Sequence, residues 1–268
     1  MKIAFGLLLL VMHSTNTAAQ QDSVWYKRAK NSIQVNLGFI HTRLIDEGFT
    51  QSKLLFRGTN AKFVLGYGRE TNKSIMNLRV LVSPGKIRTK QDELAASFFH
   101  FASCIEYLRK IKTLNVGGKE SQFFAGLQLS TINYIIENSP IFDNVDAVSL
   151  HGIYLKLGYH LKLNKKNNLR FAYSMPMIVY GNRPLWNSGA SVYTLDDTKR
   201  IIKLLTTHGR YFYFDLSRNI QADIVYVKLV GKNVDFDAGL AFTYVNNSVE
   251  KPIRMYSNQL TLGLKFRL

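Results

Sequence analysis

From residue 31 to residue 268 the chain is dominated by regular alternation of apolar and polar positions, interrupted by clusters of turn-forming residues. A β-strand sends successive side chains to opposite faces, so each alternating run predicts a strand with one apolar and one polar face. Such runs fall at 33–39, 61–67, 76–82, 99–107, 123–129, 153–163, 169–179, 220–226, 234–244 and 260–268. The last is the cleanest. Leu260, Leu262, Leu264, Phe266 and Leu268 share one face, and Gln259, Thr261, Gly263, Lys265 and Arg267 share the other. Pro176 sits near the end of the 169–179 run, where a bulge or rim position would tolerate it.

The connections between runs differ in length. Short polar turns are expected at 69–73, 164–168 and 231–233, with a further turn around Gly117-Gly118. Longer connections are expected at about 41–59, 84–96, 136–148, 181–209 and 246–256. Alternating short turns and long loops are the layout of a transmembrane barrel. Such a barrel has an even number of strands, so 211–216 and 220–230 are joined into one long strand, giving about ten; twelve is the alternative, with an extra strand inside 181–209. Within that connection, 194–205 has an N-cap candidate and clustered apolar residues, and is predicted to be a short amphipathic helix.

Composition narrows the setting. Residues 1–19 carry an early lysine, a short apolar core and small residues at Thr17-Ala18-Ala19, the pattern of a cleaved secretory signal peptide. Residues 20–30 are expected to be a periplasmic segment and 31–268 the barrel. Cys104 is the only cysteine, so no intramolecular disulfide forms. The net charge of +17 suits an anionic surface or an anion-attracting lumen, and solvated basic loops would account for it equally well. An exported chain without a nucleic-acid-binding motif gives no support to a nucleic-acid partner.

The apolar faces could pack a soluble core or meet lipid. Tyr67, Tyr107, Tyr159, Tyr173 and Tyr244 lie near strand ends on the apolar face, where interfacial girdles sit, and this favours lipid. With its signal sequence, alternating strands, unequal connections and closing run at 260–268, the chain resembles the Gram-negative outer-membrane β-barrel families of porin-like proteins over residues 31–268. No motif selects a subfamily. The resemblance implies an all-β, antiparallel transmembrane barrel in the outer membrane, expected to be a monomer. Its implied partners are outer-membrane lipid, lipopolysaccharide and the barrel-assembly machinery. That machinery usually reads a terminal aromatic residue; here the last residue is Leu268 and the nearest aromatic is Phe266.

Phasing the strands places His100, Glu106, Lys156, His160, Lys162, Arg170, Lys265 and Arg267 toward the lumen. It places Leu155, Leu157, Leu161, Leu260, Leu262, Leu264, Phe266 and Leu268 toward lipid. The sequence lacks HExxH, a CxxC pair, GxSxG and a P-loop, so no metal or cofactor is expected. The expected function is a non-enzymatic porin-like or surface role, with a basic lumen favouring anions if open. Two alternatives stand beside it. One is a barrel hydrolase of lipid or peptide using Ser149 and His151, which share a strand face; the other is a soluble secreted barrel that binds an apolar ligand.

Overall fold

The computed structural model describes residues 31–46, 54–89, 94–138, 144–182, 210–213, 217–247 and 253–268. The signal sequence at 1–19, the segment at 20–30 and the helix expected at 194–205 lie outside the described residues.

The strands are β1 (Asn31–Asp46), β2 (Leu55–Glu70), β3 (Ser74–Thr89), β4 (Ala95–Val116), β5 (Lys119–Asn138), β6 (Asn144–Lys162), β7 (Asn167–Asn182), β8 (Arg210–Tyr213), β9 (Ser217–Leu229), β10 (Val234–Asn247) and β11 (Ile253–Arg267). Every neighbouring pair is antiparallel, and β1 pairs with β11 from Ser32↔Arg267 to Asp46↔Ile253, which closes the sheet on itself. Short β8 pairs with the upper part of β7 and β9 with its lower part, so the two are successive pieces of one stave. The result is a closed barrel of ten staves, as the parity of the alternating runs predicted.

Turns at 71–73, 117–118, 163–166 and 230–233 join the strands at one end. Gly117 and Gly118, with φ of 59° and 75°, make the tightest of these, a conformation that glycine adopts without a Cβ clash. The opposite end is joined through 47–54, 90–94, 139–143, 183–209 and 248–252. Several of these connections are shorter than expected, because the strands run on past the alternation that announced them. The stretch 84–96 is the clearest case: β3 continues to Thr89 and β4 starts at Ala95.

The strands continue because the pattern inverts rather than stops. In the lower part of the wall, at the turn end, apolar residues point outward: Leu37 is 62% exposed and Phe39 59%. Above that level the apolar residues change parity and point inward. On β1 the change falls between Phe39 and Ile40; on β5 Leu127 and Leu129 are exposed but Ile132, Tyr134 and Ile136 are buried. Leu44, Phe56, Ile87, Phe98, Leu150 and Met255 join this inward cluster from six different strands. The uniform apolar exterior and polar lumen expected from sequence therefore hold only for the lower storey. The upper storey has the inside-out arrangement of a water-soluble barrel.

Two prolines sit where the ladder is already irregular. The β2–β3 pairing lapses between Arg57↔Arg88 and Phe63↔Val82, opposite Pro84, which has no N–H to give. Side chains bridge the gap: Ser83 Oγ donates to the Ala61 carbonyl at 2.7 Å, and the Lys86 amide donates to Asn60 Oδ1 at 2.9 Å. The β6–β7 register slips between Ile153↔Ile178 and Tyr154↔Pro176, a bulge that leaves Met177 and Ile178 both exposed and turns Val179 inward.

Candidate functional site

The lower lumen is crossed by a network centred on Glu106 of β4. Arg79 of β3 donates to its Oε2 at 2.9 Å, Lys156 of β6 to the same oxygen at 2.5 Å, and Asn77 to Oε1 at 2.6 Å. Lys156 also reaches Gln128 Oε1 at 3.2 Å; Ser174 donates to that oxygen, and Gln128 Nε2 donates to Gln221. The glutamate and Lys156 are both buried, so each is compensated by the other and by these amides.

A second tier lies nearer the turns. Glu70 accepts from Lys265 at 3.4 Å and stands 3.6 Å from Arg170. Arg267 donates to Asp235 at 2.6 Å, Lys162 pairs with Glu120 at 3.5 Å, and Gln34 donates to Asp237 at 2.7 Å. The His160 ring lies 4.6 Å from that of Phe124, which packs with Ile75 and Leu108 into a small apolar cluster. Lys62 of β2 donates to Gln259 of β11, on the other side of β1. Each named lumen cation has an acid or amide beside it, so the lumen is ion-paired where the sequence suggested a basic one. The acids that do this, Glu70, Glu120 and Asp235, carried no strong local signal: each lies at or near the end of an alternating run.

Two cavities lie inside, both lined by described residues. One of about 180 Å³ is lined by Lys62, Arg79, His100, Gln128 and Lys156 among others; one of about 90 Å³ lies below, beside Glu106, His160 and Arg170. Both are smaller than the ~300–1,000 Å³ of typical ligand pockets. His100 is buried in the upper one, with no hydrogen bond to a described residue at either ring nitrogen. Above it stands the apolar cluster of the upper storey.

On the outer wall the closing run presents Leu260, Leu262, Leu264, Phe266 and Leu268, all exposed, with Leu262 at 52%. Leu155, Leu157 and Leu161 lie on the outer face of β6 and are half-buried. Lys265 and Arg267 point inward at the turn end.

Ser149 and His151 also belong to the outer face, since their neighbours Val148 and Leu150 point into the barrel. They are in contact: Ser149 Oγ lies 2.7 Å from His151 Nε2, and His151 Nδ1 lies 3.0 Å from Thr131 Oγ1. Ser149 also donates to Asn133 Oδ1. Thr131 and Asn133 come from β5, directly opposite His151 and Ser149 in the ladder, a pairing that only the register reveals. The chain Thr131–His151–Ser149 has the connectivity of a nucleophile, a base and an orienting group, but the serine is fully buried beneath its neighbours. Among the described residues no cluster of His, Cys, Asp or Glu could hold a metal ion.

A closed antiparallel sheet, an outward apolar band and an ion-paired lower interior are the architecture of a membrane-spanning β-barrel. The run at 260–268 matches the roughly 9–11 tilted residues that cross a bilayer. No family model matches the chain, and no curated protein is similar to it in sequence. Among solved structures it is similar to the transport unit of the autotransporter AIDA-I from Escherichia coli, at 8% identity over 99% of this chain and 97% of that one, with a TM-score of 0.47. The β domain of the Bordetella autotransporter BrkA (9% identity, 90% and 100% covered, TM-score 0.41) and Neisserial surface protein A (10% identity, 88% and 97% covered, TM-score 0.39) are also similar. Likeness at this level carries no argument about the task of this barrel.

Proposed function

We propose that this protein is a closed, non-conducting surface barrel, monomeric in the outer membrane, with its turns in the periplasm and its upper storey raised above the outer leaflet. The observation that carries this reading is the apolar cluster filling the upper lumen, where Phe56, Phe98, Tyr134 and Met255 are almost fully buried. An apolar layer of this kind opposes the passage of water and ions. The ion-paired lower lumen supports the same reading, because an anion-selective pore needs cations free to meet the permeant ion. The unbroken β1–β11 ladder leaves no open edge to recruit a second copy, and the 260–268 strand is the segment the barrel-assembly machinery would read.

Planar-bilayer recording of the refolded protein tests the proposal. A silent barrel is expected. Sustained single-channel steps with anion preference would overturn it in favour of a porin-like pore.

A second reading has one specific observation behind it, the hydrogen-bonded Thr131–His151–Ser149 chain on the outer wall. In that reading the barrel hydrolyses lipid esters, with Ser149 as nucleophile and His151 as base. Phospholipase or deacylase activity of the purified protein that disappears in His151→Ala would support it. Activity that survives the substitution would remove these residues from the reaction.

A further inference from the structure

The chain is strongly basic, yet the described lumen cations are balanced by acids and amides. Part of the surplus sits outside, in one place. Arg43 of β1 is directly opposite Arg57 of β2, and Arg57 is directly opposite Arg88 of β3. All three are exposed on the outer face, in a single row across three adjacent strands. Neighbouring strands are about 5 Å apart, and like charges placed directly opposite destabilise a sheet. No described acid pairs with any of the three. Lys86 on β3 and Arg254 on β11, also exposed, extend the cationic patch.

The height of this row is informative. On β1 it lies two outer-face positions above exposed Phe39, which is followed on that face by His41 and then Arg43. Continuing along the same cross-strand row, Arg43 faces Tyr256, which faces Tyr244, and those two rings lie 4.7 Å apart. Aromatic rings of this kind mark the lipid–water interface. Arg43, beside this aromatic pair, therefore stands where headgroup phosphates stand, with Arg57 and Arg88 next to it in the row. Just below, on the same wall, runs an apolar groove of about 530 Å³ bordered by Phe39, Leu240, Phe242 and Leu260, with His41 and Asn258 at its lip.

We propose that this face binds one phosphorylated glycolipid of the outer leaflet, the lipid anchor of lipopolysaccharide. Its phosphate sits across Arg43, Arg57 and Arg88, and an acyl chain lies in the groove beside β1 and β11. Phosphate oxygens accept from guanidinium pairs in bidentate fashion, which turns the mutual repulsion of the row into attraction for one anion. The orientation rests on the surface-barrel proposal, but the site does not depend on whether the lumen conducts, so the bilayer recording and the binding experiment fail separately.

The test is native mass spectrometry of the full barrel refolded in zwitterionic detergent. The probes are bisphosphorylated lipid A, dephosphorylated lipid A and inorganic phosphate. The wild-type protein should retain bisphosphorylated lipid A about tenfold or more tightly than the dephosphorylated form, the scale of one charge-assisted contact. The Arg43→Gln, Arg57→Gln, Arg88→Gln triple variant should lose that preference. A control pair at the turn end, Arg69→Gln with Arg109→Gln, should keep it. Equal retention of both lipids by wild type, or equal loss in the control pair, would overturn the site. Inorganic phosphate bound as tightly as lipid A would overturn the lipid assignment. Arg57→Gln alone supplies a reading if the triple variant does not fold: without lipid it should melt higher than wild type, since repulsion is relieved, and it should gain less on adding lipid A. A lower melting temperature without lipid would show that the row is not under repulsion and would overturn the proposal.

Discussion

Along β5, Leu127 and Leu129 face outward while Gln128 and Ser130 face the lumen; a few residues later Tyr134 and Ile136 face the lumen while Thr131 and Asn133 face outward. The same wall, with the same hydrogen-bond ladder, is thus built for two solvents. In the lower storey the surroundings are apolar, so burying polar groups inside requires that they satisfy one another, and Glu106 with its three donors shows how. In the upper storey the polar face is the outer one, so the interior is closed by ordinary hydrophobic burial, worth about 1.5–3 kcal/mol for a fully buried large side chain. What changes between the storeys is which face has to be apolar; the backbone needs no change.

The largest effect should come from the lower interior. Glu106→Ala leaves Lys156 and Arg79 without their shared acid, and removing one partner of a buried pair costs about 3–5 kcal/mol. Urea unfolding of the refolded barrel in detergent should show that loss; a change of only a few tenths would mean the network is solvated and the lower lumen open. Next comes the exterior. Leu262→Arg places a charge near the middle of the apolar band and should cost about 2–4 kcal/mol in bilayers. Ser97→Lys, on the outer face of the upper storey, should stay within about 0.5 kcal/mol. Equal penalties would erase the distinction between storeys. The smallest interior effect tests the upper core: Ile136→Val should lower stability by about 0.5–1.5 kcal/mol, as in a soluble core. No measurable change would indicate that this cluster is loosely packed.

Much of this was legible in the alternation. The ten runs, their phases and the closing role of 260–268 follow from a period of two, which fixes the face of every side chain once one is known. The inversion was also written in the sequence, as a change of parity between Phe39 and Ile40 and between Leu129 and Ile132, but it presents itself as an end of regularity and so suggested loops. The Ser149–His151 pair could be named because both residues lie on one strand. Thr131 and Asn133 could not, because they reach it through the register of β5 against β6.

The sequence by itself determined the fold class, because alternation is a local property of each strand and repeats along the chain. Only the tertiary structure decided which charges meet. Glu106 lies 50 residues from Lys156, and Glu70 lies 195 from Lys265, separations that no local pattern spans. The arginine row is of the same kind: Arg43, Arg57 and Arg88 are unremarkable singly, and become one surface only when the register of three neighbouring strands sets them side by side.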